Sequence, residues 1–177
     1  MKTALTAKHL CLVCSLLLFL ISGCSQTVEV EGPGVEFLTA FFTSNQNQRW
    51  DTLQNADVAS EETANAATAA YLSGLSPLCT EACLASIAQN RQLSQLDSLA
   101  ERYGCALVPE TVTVSTPNES HAATFEVELS VQQGEDSIGT VKQQGELTFA
   151  DGSDTPLVDN IWFASLDGIS AFLEEMK

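Results

Sequence analysis

Ala123-Thr124-Phe125-Glu126-Val127-Glu128-Leu129-Ser130-Val131-Gln132 alternates apolar and polar residues without a break. A period of two is that of a β-strand with one buried and one wet face, an arrangement that antiparallel sheets permit. The strand decides the fold class because the sequence changes regime around it. Downstream, Gln133-Gly134-Glu135-Asp136 reads as a turn, and Val141, Leu147 and Phe149 share a parity with Gln143 and Gly145. A glycine in mid-strand often marks a bend or bulge, so this strand is expected to curve. A turn at Asp151–Pro156 and a strand within Leu157–Ala164 follow, then a short amphipathic tail over Ile169–Met176. Immediately upstream, Val112 and Val114 alternate with threonines and Thr116-Pro117-Asn118-Glu119 reads as a turn.

Further upstream the period is helical. Phe37, Leu38, Phe41 and Phe42 form one wide apolar face, and Arg49-Trp50-Asp51-Thr52-Leu53 resumes one with Trp50 and Leu53. Ser60-Glu61-Glu62 has the chemistry of a helix start, a capping hydroxyl followed by acids. Thr80-Glu81 repeats it ahead of a shorter helix, and Asn90-Arg91-Gln92 reads as a break. Leu93, Leu96, Leu99, Ala100 and Tyr103 make the last stripe, stopped by Gly104. Helices followed by four strands on short turns predict an α+β domain over 35–177, with the N-terminal helices packed on a curved four-stranded antiparallel sheet.

The chain has 177 residues, with 23 Asp plus Glu against 7 Lys plus Arg and a formal charge of −16. That balance argues against nucleic-acid binding, since phosphate backbones are held by Lys and Arg. Its N-terminus carries Lys2 and Lys8, an apolar run from Leu10 to Ile21, and then Ser22-Gly23-Cys24. The run is about 12 residues, the length of a signal-peptide core and short of the roughly 20 that span a bilayer. Ile21-Ser22-Gly23-Cys24 resembles the lipobox of bacterial lipoproteins. The resemblance implies removal of residues 1–23 and a lipidated Cys24, whose acyl chains would partner the membrane. Cleavage would leave five of the seven basic residues against all 23 acids. A domain that acidic is repelled by anionic headgroups, so the acyl anchor would do the holding. Residues 24–34, ending in Gly32-Pro33-Gly34, read as a tether. About 10 extended residues reach only ~35 Å, so the domain would stay near the extracytoplasmic face of the membrane.

Beyond the leader there are three further cysteines, Cys79, Cys83 and Cys105, and one histidine, His121. An exported location permits a disulfide, with Cys105 pairing Cys79 or Cys83, while buried free thiols are the other outcome. This set is too small and scattered for a metal site, and it offers little basis for a nucleophile–histidine pair. No cofactor motif is apparent.

Phe41-Phe42-Thr43-Ser44, Arg49-Trp50-Asp51, Asn90-Arg91 and the strand from Thr124, spanning about residues 35–165, resemble the nuclear-transport-factor-2-like fold. This is a cone in which a curved sheet wraps a long helix, and the chain is similar to small lipoproteins of Gram-positive gut bacteria with that fold. The resemblance implies a concave pocket at the mouth, for which Tyr71, Tyr103, Gln143, Asn160 and Trp162 are the candidate lining residues. The expected role is a non-catalytic module that binds a small ligand or an envelope protein. Members of the fold also include isomerases and dehydratases. Asp97 and Tyr103 suit that chemistry by residue type, although Asp97 falls outside the apolar stripe chosen above and is expected to be exposed. A structural part in an envelope assembly is the third reading.

Overall fold

The computed structural model describes residues 32–44, 49–56, 59–151 and 156–176. The leader, Cys24 and most of the tether lie outside them, as does most of the turn expected at Asp151–Pro156. Among the described residues the protein is α+β: five helices, a four-stranded antiparallel sheet and a closing helix. The helices are α1 (Pro33–Phe42), α2 (Arg49–Gln54), α3 (Glu61–Tyr71), α4 (Glu81–Asn90) and α5 (Gln92–Tyr103). The strands β1 (Ala106–Val114), β2 (Ala122–Gln133), β3 (Asp136–Phe149) and β4 (Val158–Phe163) precede α6 (Asp167–Glu175) and lie in chain order as a meander. No helix among the described residues is long and apolar enough to cross a membrane.

Local chemistry sets the helix ends. Ser60 and Thr63 form a reciprocal capping box at the start of α3, and the Thr80 hydroxyl accepts from the Cys83 amide at the start of α4. Helices α4 and α5 are separated by one residue, Arg91, held in the left-handed region at φ 55°. Gly104, at φ 60°, ends α5 as the cap that the sequence predicts.

The core lies between α1 and the inner face of the sheet. Phe37, Leu38, Phe41 and Phe42 are fully buried with Leu107, Val127, Leu129, Val131 and Leu147. Each such side chain contributes roughly 1.5–3 kcal/mol by leaving water. Both sheet edges are partly covered: the Ser44 amide donates to the Leu107 carbonyl beside β1, and residues 78–80 exchange backbone hydrogen bonds with Val158 on β4. Free edges invite pairing with other chains, and these segments occupy them.

No β-bulge marks Gly145. The irregularities in register fall between Pro109 and Thr111, between Val131 and Gln132, and between Thr148 and Phe149, whereas pairing runs unbroken through Phe125↔Gly145. Gly145 is required by close approach instead. A Cβ there would lie 2.6 Å from the Phe125 ring and would overlap the Trp162 carbonyl oxygen of the neighbouring strand. Gly145→Ala should therefore cost about 1–3 kcal/mol, as overpacking does. Urea unfolding followed by circular dichroism measures this; an unchanged midpoint would show that the ring and strand β4 yield freely.

Candidate functional site

Asp97 is 1% exposed, and this overturns the expectation that it faces solvent. The buried stripe of α5 is Leu93, Leu96, Asp97 and Ala100, spaced by three, one and three residues. Asp97 lies four residues after Leu93 and three before Ala100, so helical periodicity centres it on the inner face. A stripe drawn through Leu99 and Tyr103 rotates the face too far.

A carboxylate in that position needs partners. Arg49, at the start of α2, supplies a bidentate pair: Nε donates to Oδ2 and Nη2 to Oδ1, both at 2.8 Å. The Tyr71 hydroxyl, from the end of α3, donates to Oδ2 at 2.6 Å. The guanidinium also reaches the last turn of α1, where Nη1 donates to the Ala40 carbonyl at 2.8 Å and Nη2 to that of Phe41 at 3.1 Å. Those carbonyls have no partner within their own helix, and a cation there also complements the helix dipole. One arginine thus joins α1, α2 and α5, and one carboxylate joins α2, α3 and α5.

Burial raises the Tyr71 pKa, and the adjacent Asp97 carboxylate raises it further, so the phenol remains a protonated donor. Both Asp97 oxygens are engaged by internal donors. A general base needs an oxygen aimed at substrate, and a nucleophile needs a neighbouring base. The geometry of this network is that of a structural clasp.

A cleft of about 570 Å³ opens beside the clasp. Its walls are the outer side of α1 (Val35, Glu36, Thr39, Ala40) and the Ser73–Leu75 segment, with Arg49 and Tyr71 also lining it. That volume is of ligand-site size, and the lining is mostly apolar.

Of the residues expected to line a pocket, only Tyr71 meets this cleft. Gln143 is buried at 7% exposure, but its Nε2 donates to the Ser165 carbonyl at 3.2 Å, tying β3 to the segment after β4. Asn160 is exposed, and Trp162 is 62% exposed, because their parity on β4 is opposite to that of buried Ile161. Tyr103 is half-buried, and its main-chain carbonyl accepts from Gln133.

Cys79, Cys83 and Cys105 are buried thiols, with no disulfide among the described residues. The neighbouring Cys79 thiol and burial push the Cys83 thiol up. Cys79 donates to the Leu75 carbonyl at 3.3 Å. Burial pushes the Cys105 thiol up. His121 meets Asp151 in an exposed pair at 2.8 Å. Among the described residues no cluster of His, Cys, Asp or Glu could hold a metal ion.

Arg49 is the residue that sequence reasoning left without a role. Its signal was a lone cation opening a half-apolar helix in a chain with few cations. No protein-family model matches the sequence, and no curated protein matches it at a significant level.

Proposed function

We propose that this chain is an extracytoplasmic lipoprotein, held at the membrane by an acylated Cys24, whose domain is a non-catalytic binding module with a cone of the nuclear-transport-factor-2-like kind. The observation that carries the module reading is the closed Arg49–Asp97–Tyr71 network. The one buried carboxylate among the described residues is committed to joining helices, and an open cleft of about 570 Å³ adjoins it. The lipobox Ile21-Ser22-Gly23-Cys24 supports the anchoring. A ligand of modest size would sit against α1 with the clasp as part of the wall.

A protein partner is a second reading, favoured by Trp162. This side chain is exposed on the outer face of the sheet, opposite Glu146 on β3, and large aromatics often anchor protein interfaces. Mass spectrometry of the mature protein should find a diacylglyceryl group on a polypeptide beginning at Cys24; an unmodified product or one that keeps its leader would overturn the anchoring. Thermal-shift screening of a metabolite library on the native protein should find stabilising compounds. Silence across the library, together with a stoichiometric neighbour in membrane crosslinking, would replace the ligand reading with the partner reading.

A further inference from the structure

We propose that a composite groove between α2, α4 and α5 binds a singly charged amphiphile, its carboxylate against Arg91 and its apolar body beside Trp50. Two cavities adjoin there. One, of about 330 Å³, is walled largely by apolar side chains of four helices, including Leu53, Leu72, Ile87 and Leu93. The other, of about 500 Å³, is a polar groove along the outer side of α5 that extends to Arg102 and to the start of α6. Trp50, Arg91 and Ser94 line both, so they form the passage from the polar groove to the apolar cavity.

The chemistry of the passage suits a carboxylate head. Among the described residues Arg49 is paired with Asp97 and Lys142 with Glu126, whereas Arg91 and Arg102 have no carboxylate partner. Guanidinium recognises a carboxylate through paired, charge-assisted hydrogen bonds. The Trp50 indole N–H is buried and without a hydrogen-bond partner, a condition that is uncommon in native proteins and calls for an acceptor. Arg91 is also held at φ 55°, a conformation that a bulky residue adopts at a cost.

Charge sets the ligand class. The chain carries −16 overall, and Asp167 stands in the wall of the polar groove. Multiply charged anions are therefore disfavoured relative to a monoanion. Arg102 lies eleven residues along α5 from Arg91, about 16 Å by helical rise, too far to share one small head group and placed to assist approach instead.

The test uses the full chain in nanodiscs of zwitterionic lipid, with a Trp162→Phe substitution so that Trp50 is the remaining tryptophan of the two. Octanoate, octanol and octyl phosphate are titrated while Trp50 fluorescence is read, with empty nanodiscs subtracted. Octanoate should give a saturable change, with octanol weaker by about tenfold or more, the scale of losing a charge-assisted bond. Octyl phosphate, read at pH 8 where it is mostly a dianion, should be weaker than octanoate through repulsion by the acidic surround. Arg91→Asn keeps a residue that tolerates the left-handed backbone and should weaken octanoate by about tenfold or more, whereas Arg102→Ala should weaken it less than Arg91→Asn does. A circular dichroism melt coincident with the parent's certifies that each variant is folded. No saturable octanoate signal, equal affinity for octanol or octyl phosphate, or indifference to Arg91→Asn would overturn the proposal. A library compound that stabilises the protein without competing with octanoate would leave the binding-module reading standing even then.

Discussion

Asp97→Ala should remove about 3–5 kcal/mol of folding stability, the cost of breaking a buried pair by deleting one partner. The loss has three sources: Arg49 keeps a charge that is mostly shielded from water, the Tyr71 hydroxyl loses its acceptor, and a void opens on the inner face of α5. Tyr71→Phe should cost less, about 1–3 kcal/mol, because the bidentate pair survives and only one acceptor position is vacated. The informative comparison is Arg49→Met with Asp97→Leu together. Well-packed apolar replacements of both partners are often neutral or better, so the double variant should recover much of the loss from Asp97→Ala. Full recovery will be limited here, because Arg49 also serves the carbonyls of Ala40 and Phe41 at the end of α1. Urea unfolding of the three variants reads the series. A midpoint for Asp97→Ala within error of the parent's would mean that the clasp does not form.

Much of this architecture was legible locally. The alternation from Ala123 to Gln132 became β2, the Ser60 and Thr80 caps opened α3 and α4, and Gly104 closed α5. Each of these is decided within a few residues by periodicity or by a hydroxyl meeting an amide. What sequence could not supply was the meeting of residues far apart. Arg49 and Asp97 are 48 positions apart, and nothing in either segment names the other. Asp97 itself was recoverable, since its spacing from Leu93 and Ala100 is helical, but an acid in an apolar stripe reads as an exposed residue until its partner is known. Gly145 illustrates the same limit. A glycine in a strand permits either a bulge or a crossing neighbour, and the choice depends on Phe125 and Trp162 in adjacent strands. Trp162 faces out for a simpler reason: it alternates with buried Ile161, and parity outweighs its apolarity.

Phe41→Ala should be as costly as Asp97→Ala, about 3–5 kcal/mol, by leaving a ring-sized void where α1 meets the sheet. Phe41 is fully buried, and its ring lies 5.9 Å from Phe37, 5.1 Å from Phe42 and 6.0 Å from Phe163, measured between centroids. Two of those contacts are edge-on, an arrangement that adds to simple area burial. Neighbouring rings are held by the helix on one side and by β4 on the other, so the space should not collapse fully. Trp162→Phe, on the exposed face of the same strand, should change stability by no more than about 0.5 kcal/mol and serves as the contrast. The two large losses should also fall short of additive when Phe41→Ala and Asp97→Ala are combined. Arg49 donates to the Phe41 carbonyl at the end of α1 as well as to Asp97 on α5, so loosening either contact relaxes its hold on the other. A double-mutant cycle with a coupling of zero would show that the clasp and the aromatic core are separate units, and that Arg49 does not transmit between them.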